Sequence, residues 1–111
     1  MSRSLGASLP EDLRHTLSQA DLAVQQASKS KAPEYASLEL YTAREQFTGA
    51  QEAMHNKEYT QARRLAERAL VNAQLAETKA QAEQTRRTAE ELRQSIESLR
   101  SEAAQQASRR Q

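Results

Sequence analysis

The chain contains no cysteine and no tryptophan, only two glycines, two prolines, three tyrosines and one phenylalanine among 111 residues. Each scarcity excludes something. Without Cys there is no disulfide, no thiolate nucleophile and none of the common zinc sites, while either redox compartment remains open to a Cys-free domain. Leu, Ile, Val and Phe together number 16 of 111, and ligand pockets are lined mainly by larger apolar and aromatic groups. An enzyme is therefore not expected, nor is a cofactor. An excess of one charge is also lacking: 16 Lys and Arg stand against 15 Asp and Glu, for a net charge of +1. That balance argues against a dedicated polyanion binder, so no nucleic-acid partner is expected. No apolar run approaches the ~18 residues of a membrane span, and the first nine residues lack the apolar stretch of a signal peptide.

What fills the chain instead is Ala, with Gln, Glu, Arg and Ser. Ala buries little area per residue but has the best helix propensity. Few large aliphatics would suit a disordered chain only together with a high net charge, which is missing. The composition predicts an all-α fold of long, closely packed helices in a single domain over residues 9–108. Residues 1–8 are expected as a disordered tail and residues 109–111 as a frayed one.

Three helices are expected, at about 9–28, 33–55 and 57–108. Ser8 and Glu11 can form a capping box, with Pro10 in the first turn where its missing donor costs little. Helix one then carries Leu9, Leu13, Leu17, Ala20, Val24 and Ala27 as one narrow stripe. Pro33 biases Ala32 away from helical geometry and suits a new first turn. Helix two places Ala36, Leu40, Ala43, Phe47, Ala50 and Met54 at heptad spacing, with Gly49 on the opposite face marking either a bend or a close contact. Asn56 is placed to cap helix three, and Glu58 to meet its positive end.

From Lys57 to Ser108 there is neither Gly nor Pro, so helix three is expected to be very long. Its first half repeats Ala62, Ala66, Ala69, Ala73, Ala76 and Ala80. Its second half repeats Ala82, Thr85, Ala89, Leu92, Ile96, Leu99 and Ala103. At ~100° per residue the two stripes lie roughly 140° apart, so they cannot both face one straight neighbour. The expected seam is an antiparallel hairpin that sets Leu40, Ala43, Phe47, Ala50 and Met54 against Ala62, Ala66, Ala69, Ala73 and Ala76. Helix one has two placements. It either completes a three-helix bundle, or continues as a kinked hairpin that brings Leu9, Leu13, Leu17 and Val24 against Ala103, Leu99, Ile96 and Leu92. A third arrangement leaves the stripe Leu92, Ile96 and Leu99 as an assembly surface for a second copy.

Residues with chemical potential have plain structural readings beside them. His15 and His55 have no ligand-spaced neighbours, so both are expected to be solvated or capping, and no metal is expected. Arg63–Arg64, Arg86–Arg87 and Arg109–Arg110 are interleaved with acids four residues away, as in Arg63/Glu67, Glu83/Arg87, Arg86/Glu90, Arg87/Glu91 and Arg93/Glu97, the spacing of helix-surface ion pairs. No Gly-rich strained turn presents a nucleophile. Phe47 is expected in the seam and Tyr59 as a staple on the hairpin turn. Leu38 and Tyr41 fall off the stripe, as either the contact for helix one or an exposed partner surface.

The run Ala32-Pro-Glu-Tyr-Ala-Ser-Leu-Glu-Leu40, then Ala43-Arg-Glu-Gln-Phe47, Lys57-Glu-Tyr-Thr-Gln-Ala-Arg-Arg-Leu-Ala-Glu67 and Ala69-Leu-Val-Asn-Ala-Gln-Leu-Ala-Glu-Thr-Lys79 resembles the bacterial domain-of-unknown-function family DUF4398 over roughly residues 17–100. The resemblance implies a small helical envelope protein of a Gram-negative bacterium, commonly a lipoprotein, in the periplasm or at the outer membrane. It implies no activity. A lipoprotein precursor carries a signal segment and an acylated Cys, and these residues show neither; the expectation is either that an anchor has been removed or that this member is not a lipoprotein, with a membrane link only through such an anchor. Some members continue into an OmpA-like peptidoglycan-binding domain; the 111 residues carry no such segment, so a peptidoglycan partner is not expected. The leading expectation is a non-enzymatic scaffold or spacer with a protein partner or self-association. The alternative is a cytosolic adaptor or chaperone-like bundle that binds a partner helix.

Overall fold

The fold is taken from a computed structural model that describes the backbone of residues 2–110 and the side chains of residues 11–110. It is all-α, with helices α1 (Ser2–Lys29), α2 (Ala32–Tyr35), α3 (Ser37–His55) and α4 (Tyr59–Arg110), and no strand among the described residues. The backbone is thus already helical over residues 2–8, where a tail was expected, and α4 continues to Arg110. Leu5 and Leu9 prolong the four-residue spacing of Leu13 and Leu17, and the helix passes through Pro10 at the loss of one backbone donor. The expected start at Ser8 is thereby corrected, since Ser8 and Pro10 lie inside α1 and not at its cap and first turn; the side chains of Ser8, Leu9 and Pro10 lie outside the described residues. Where one domain was expected, the residues divide into two compact units, Met1–Gln81 and Ala82–Gln111.

The first unit is a three-helix bundle, and it settles the placement of α1. Leu13 clusters with Ala53 of α3 and Ala62 of α4. Ala20 clusters with Ala50, Ala66 and Ala69, while Ala23, Val24 and Ala27 meet Leu40, Ala43, Ala73, Ala76 and Ala80. Ascending numbers in α1 therefore match descending ones in α3 and ascending ones in α4, giving an up-down-up order. The kinked-hairpin placement of helix one is corrected accordingly. The Ala positions of the seam are buried to the last few per cent, as are Leu13 and Leu40. Small side chains let helix axes approach toward the short end of the ~8–10 Å range, and burying each Leu stabilises by about 1.5–3 kcal/mol.

Polar residues beside the stripe tie the same faces. Lys79 Nζ donates to Glu39 Oε2 at 2.6 Å and Asn72 Nδ2 donates to Gln46 Oε1 at 2.7 Å, both between α4 and α3. On the other flank of α3, Arg44 donates to Ser28 Oγ of α1 at 2.8 Å. Gly49 lies toward α4, not on an opposite face: a Cβ there would meet Leu65 Cδ1 at 3.2 Å. Of its two readings, the close contact is the one found.

The turns are built differently from their sequence signals. At the first, Ser30 Oγ donates to the Ala27 carbonyl at 2.6 Å and accepts from the Ala32 N–H at 3.0 Å, so one hydroxyl closes α1 and opens α2. Ala32 is itself helical despite preceding Pro33, because Pro33 sits in the first turn of a short helix. The expected single helix over 33–55 is broken at Ala36, whose φ of −145° and ψ of 45° separate α2 from α3 while its carbonyl accepts from Leu40. At the second turn Asn56 ends α3 instead of starting the next helix. Glu58 N–H donates to the Ala53 carbonyl at 2.8 Å and Lys57 N–H to that of Met54 at 3.1 Å, a Schellman closure with Lys57 left-handed at φ 62°. Glu58 stands at the entry to α4, its carbonyl accepting from Ala62.

Candidate interaction surfaces

Helical packing decides which apolar side chains are used up and which remain outside. Of the residues expected at the seam, Leu40, Ala43, Ala50, Ala62, Ala66, Ala69, Ala73 and Ala76 are buried, and Phe47 and Met54 pack half-buried against the same clusters. Tyr59 packs on the Leu13, Ala53 and Ala62 cluster beside the turn, as a staple should. Two seam residues escaped the sequence reading. Ala53 and Ala23 are buried one position off their stripes, on flanks that a third helix covers. Only the identity of both neighbours, which a single-stripe pattern lacks, would have found them.

Large apolar groups left outside the first unit's core are Leu22, Leu38, Tyr41, Val71 and Leu75. Leu38 is 73% and Tyr41 61% exposed, so of their two readings the contact with helix one is overturned. His15 is exposed on α1, and His55 is exposed as the last residue of α3. Among the described residues no three His, Cys, Asp or Glu come together to hold a metal ion. No helix is long and apolar enough to cross a membrane, again among those residues.

In the second unit every described side chain from Ala82 to Arg110 except Glu83 is exposed. Leu92, Ile96 and Leu99 are exposed by 60%, 50% and 64%. Its charged groups pair along the helix. Arg86 reaches Glu83 at 2.7 Å, Arg87 reaches the same carboxylate at 3.2 Å, and Arg93 reaches Glu90 at 2.7 Å. The Glu83/Arg87 pair was expected at four residues. The short contacts of Arg86 and Arg93, however, run three residues back instead of four forward, because Cα–Cβ bonds tilt toward the helix N-terminus. The Arg86 hydrogen bond holds the Glu83 carboxyl below the usual carboxylate range, and Glu83 in turn raises Arg86.

A family model for a domain of unknown function, DUF4398, matches residues 15–92. The match runs from α1 through the whole Ala seam to Leu92. No curated protein and no solved structure matches the chain.

Proposed function

The chain belongs to the DUF4398 family, and on that premise we propose that it is a non-enzymatic, envelope-associated scaffold or spacer that acts through its helix faces. The observation that carries this reading is the division of apolar side chains. Alanines fill the core, while Leu38, Tyr41, Leu92, Ile96 and Leu99, which would bury far more area, stand outside it. Surfaces of that kind suit protein partners, and the envelope location follows from the family resemblance. Fractionation of the host cell, with the native product followed by antibody, tests the location: recovery with the envelope is expected, and a wholly cytoplasmic product would sink that part of the reading.

The exposure of Leu38 and Tyr41 favours a second reading, a cytosolic adaptor or chaperone-like bundle that grips a partner helix in the manner of a helix-in-groove contact. Replacing both with Ser should then weaken capture of the partner while leaving the helical circular-dichroism signal and the unfolding midpoint in place. Unaltered capture would remove that surface from consideration.

A further inference from the structure

The second unit repeats a seven-residue unit: Ala82-Glu-Gln-Thr-Arg-Arg-Thr88, Ala89-Glu-Glu-Leu-Arg-Gln-Ser95 and Ile96-Glu-Ser-Leu-Arg-Ser-Glu102. In heptad terms Ala82, Ala89, Ile96 and Ala103 occupy position a, and Thr85, Leu92 and Leu99 occupy position d. All seven are exposed. The flanks are just as regular. Position e is Arg in all three heptads, at Arg86, Arg93 and Arg100, and position b is Glu in all three, at Glu83, Glu90 and Glu97. Position g is neutral in two of the three, at Thr88 and Ser95.

We infer that residues 82–103 are one strand of a parallel, in-register, two-stranded coiled coil whose other strand is a second copy of this chain. The inference deepens the scaffold reading and rests on it for its biological meaning, naming self-association as the contact. Three features choose the occupant and its direction. β-Branched Ile at a between Leu residues at d favours two parallel strands over three or four. Charge then selects direction. In an antiparallel pair, position e faces position e, which sets Arg86, Arg93 and Arg100 against Arg of the other copy. In a parallel pair, e faces g, and Arg93 and Arg100 meet Thr88 and Ser95 of the second copy, hydroxyls that accept from a guanidinium. Finally, the arginines do not call for an acidic stranger. Arg86 and Arg93 already hold Glu83 and Glu90 at 2.7 Å within their own helix, and residues 82–103 carry five acids against four bases.

Three heptads present fewer residues than the ~20–30 per side of a standard interface, so association is expected to be reversible, with a Kd on the order of micromolar. The experiment is sedimentation equilibrium of the full chain from about 1 µM to about 1 mM. A monomer should give way to a dimer as concentration rises, and the triple variant Leu92→Ser, Ile96→Ser, Leu99→Ser should weaken that step at least ~10-fold. These side chains are exposed in the single chain, so the bundle's unfolding midpoint should not move. Direction is read with Ala103→Cys, which is free of background because the chain has no Cys. A parallel, in-register pair places the two thiols together at position a and forms a disulfide-linked dimer under mild oxidation, while Gln105→Cys on the outer face should lag well behind. A chain that stays monomeric to ~1 mM overturns the inference, as does a dimer untouched by the triple variant. Trimers, or equal cross-linking of both Cys variants, overturn the parallel two-stranded arrangement. None of these results bears on the scaffold reading, which fractionation and partner capture decide.

Discussion

Lys57 is the described non-glycine residue with a positive φ, at 62°, and it occupies the position just past α3 where glycine is the common solution. A Cβ in left-handed geometry costs roughly 1–2 kcal/mol, partly offset in a Gly variant by the greater freedom of its unfolded chain. Lys57→Gly should therefore raise stability by about 0.5–1 kcal/mol, or a few degrees in thermal midpoint. Lys57→Val should lower it, and a midpoint that falls in the Gly variant would contradict the argument. Glu39 supplies a second residue-scale test. The hydrogen bond from Lys79, with help from backbone, holds its carboxyl below its ordinary value of 4.5. The unfolded state then binds more protons than the folded one in the window beneath that value, so this contribution is present at neutral pH and is lost as pH falls through the lowered folded-state value. Urea unfolding of wild type and Glu39→Gln should differ at neutral pH, and the difference should shrink as acid takes the solution below the lowered folded-state value. A difference that persists in acid would mean that Glu39 acts through packing.

At the scale of the helices, the Ala seam is the feature that a substitution can break without removing anything. Ala69 of α4 is fully buried against Ala20 of α1 and Ala50 of α3, so Ala69→Leu adds volume where three helices meet. Overpacking of this kind typically costs about 1–3 kcal/mol, and a lower urea midpoint at unchanged slope is the expected signature. An unchanged midpoint would mean that the seam has slack. This seam was legible because heptad spacing is a local property of the chain, and so were the apolar faces of α1 and α3. The break at Ala36 was not legible: its unusual dihedrals come from a short α2 held by Ser30 at one end and buried Ala32 and Ala36 along its inner side, and no residue type announces them. Asn56 misled for a related reason. It has the chemistry of an N-cap, but the left-handed Lys57 follows it, and backbone bonds from Lys57 and Glu58 make the turn a helix end. The position of α1 lay beyond the sequence because its stripe matched two partners equally in length. What separates them is that Leu13, Ala20 and Val24 each share a cluster with residues of both α3 and α4, which only a bundle provides.

For the molecule as a whole, the two units should differ in how they resist opening. In residues 13–81 the backbone hydrogen bonds are covered by packed side chains, so opening them requires losing three apolar clusters together. In residues 82–110 nearly every side chain is exposed, and helicity rests on propensity and on weak surface pairs such as Glu83 with Arg86. Helices held only in that way are marginal in water at any moderate length. Amide hydrogen exchange should therefore be fast across residues 82–110 in dilute protein and slow at Leu40, Ala43 and Ala73, with local opening in the first and near-global opening in the second. If the heptads pair with a second copy, protection over residues 85–103 should rise as concentration passes the dissociation constant, because only the paired state buries that face. The amides at Ala43 and Ala73 should not respond, since their opening competes with bundle packing alone. Ile96→Ser should move the concentration dependence to higher protein concentration while leaving the slow set slow. Fast exchange at every concentration would leave the long helix with no stabilising partner of its own kind, whereas protection that is high and independent of concentration would mean that propensity and surface pairs are sufficient by themselves.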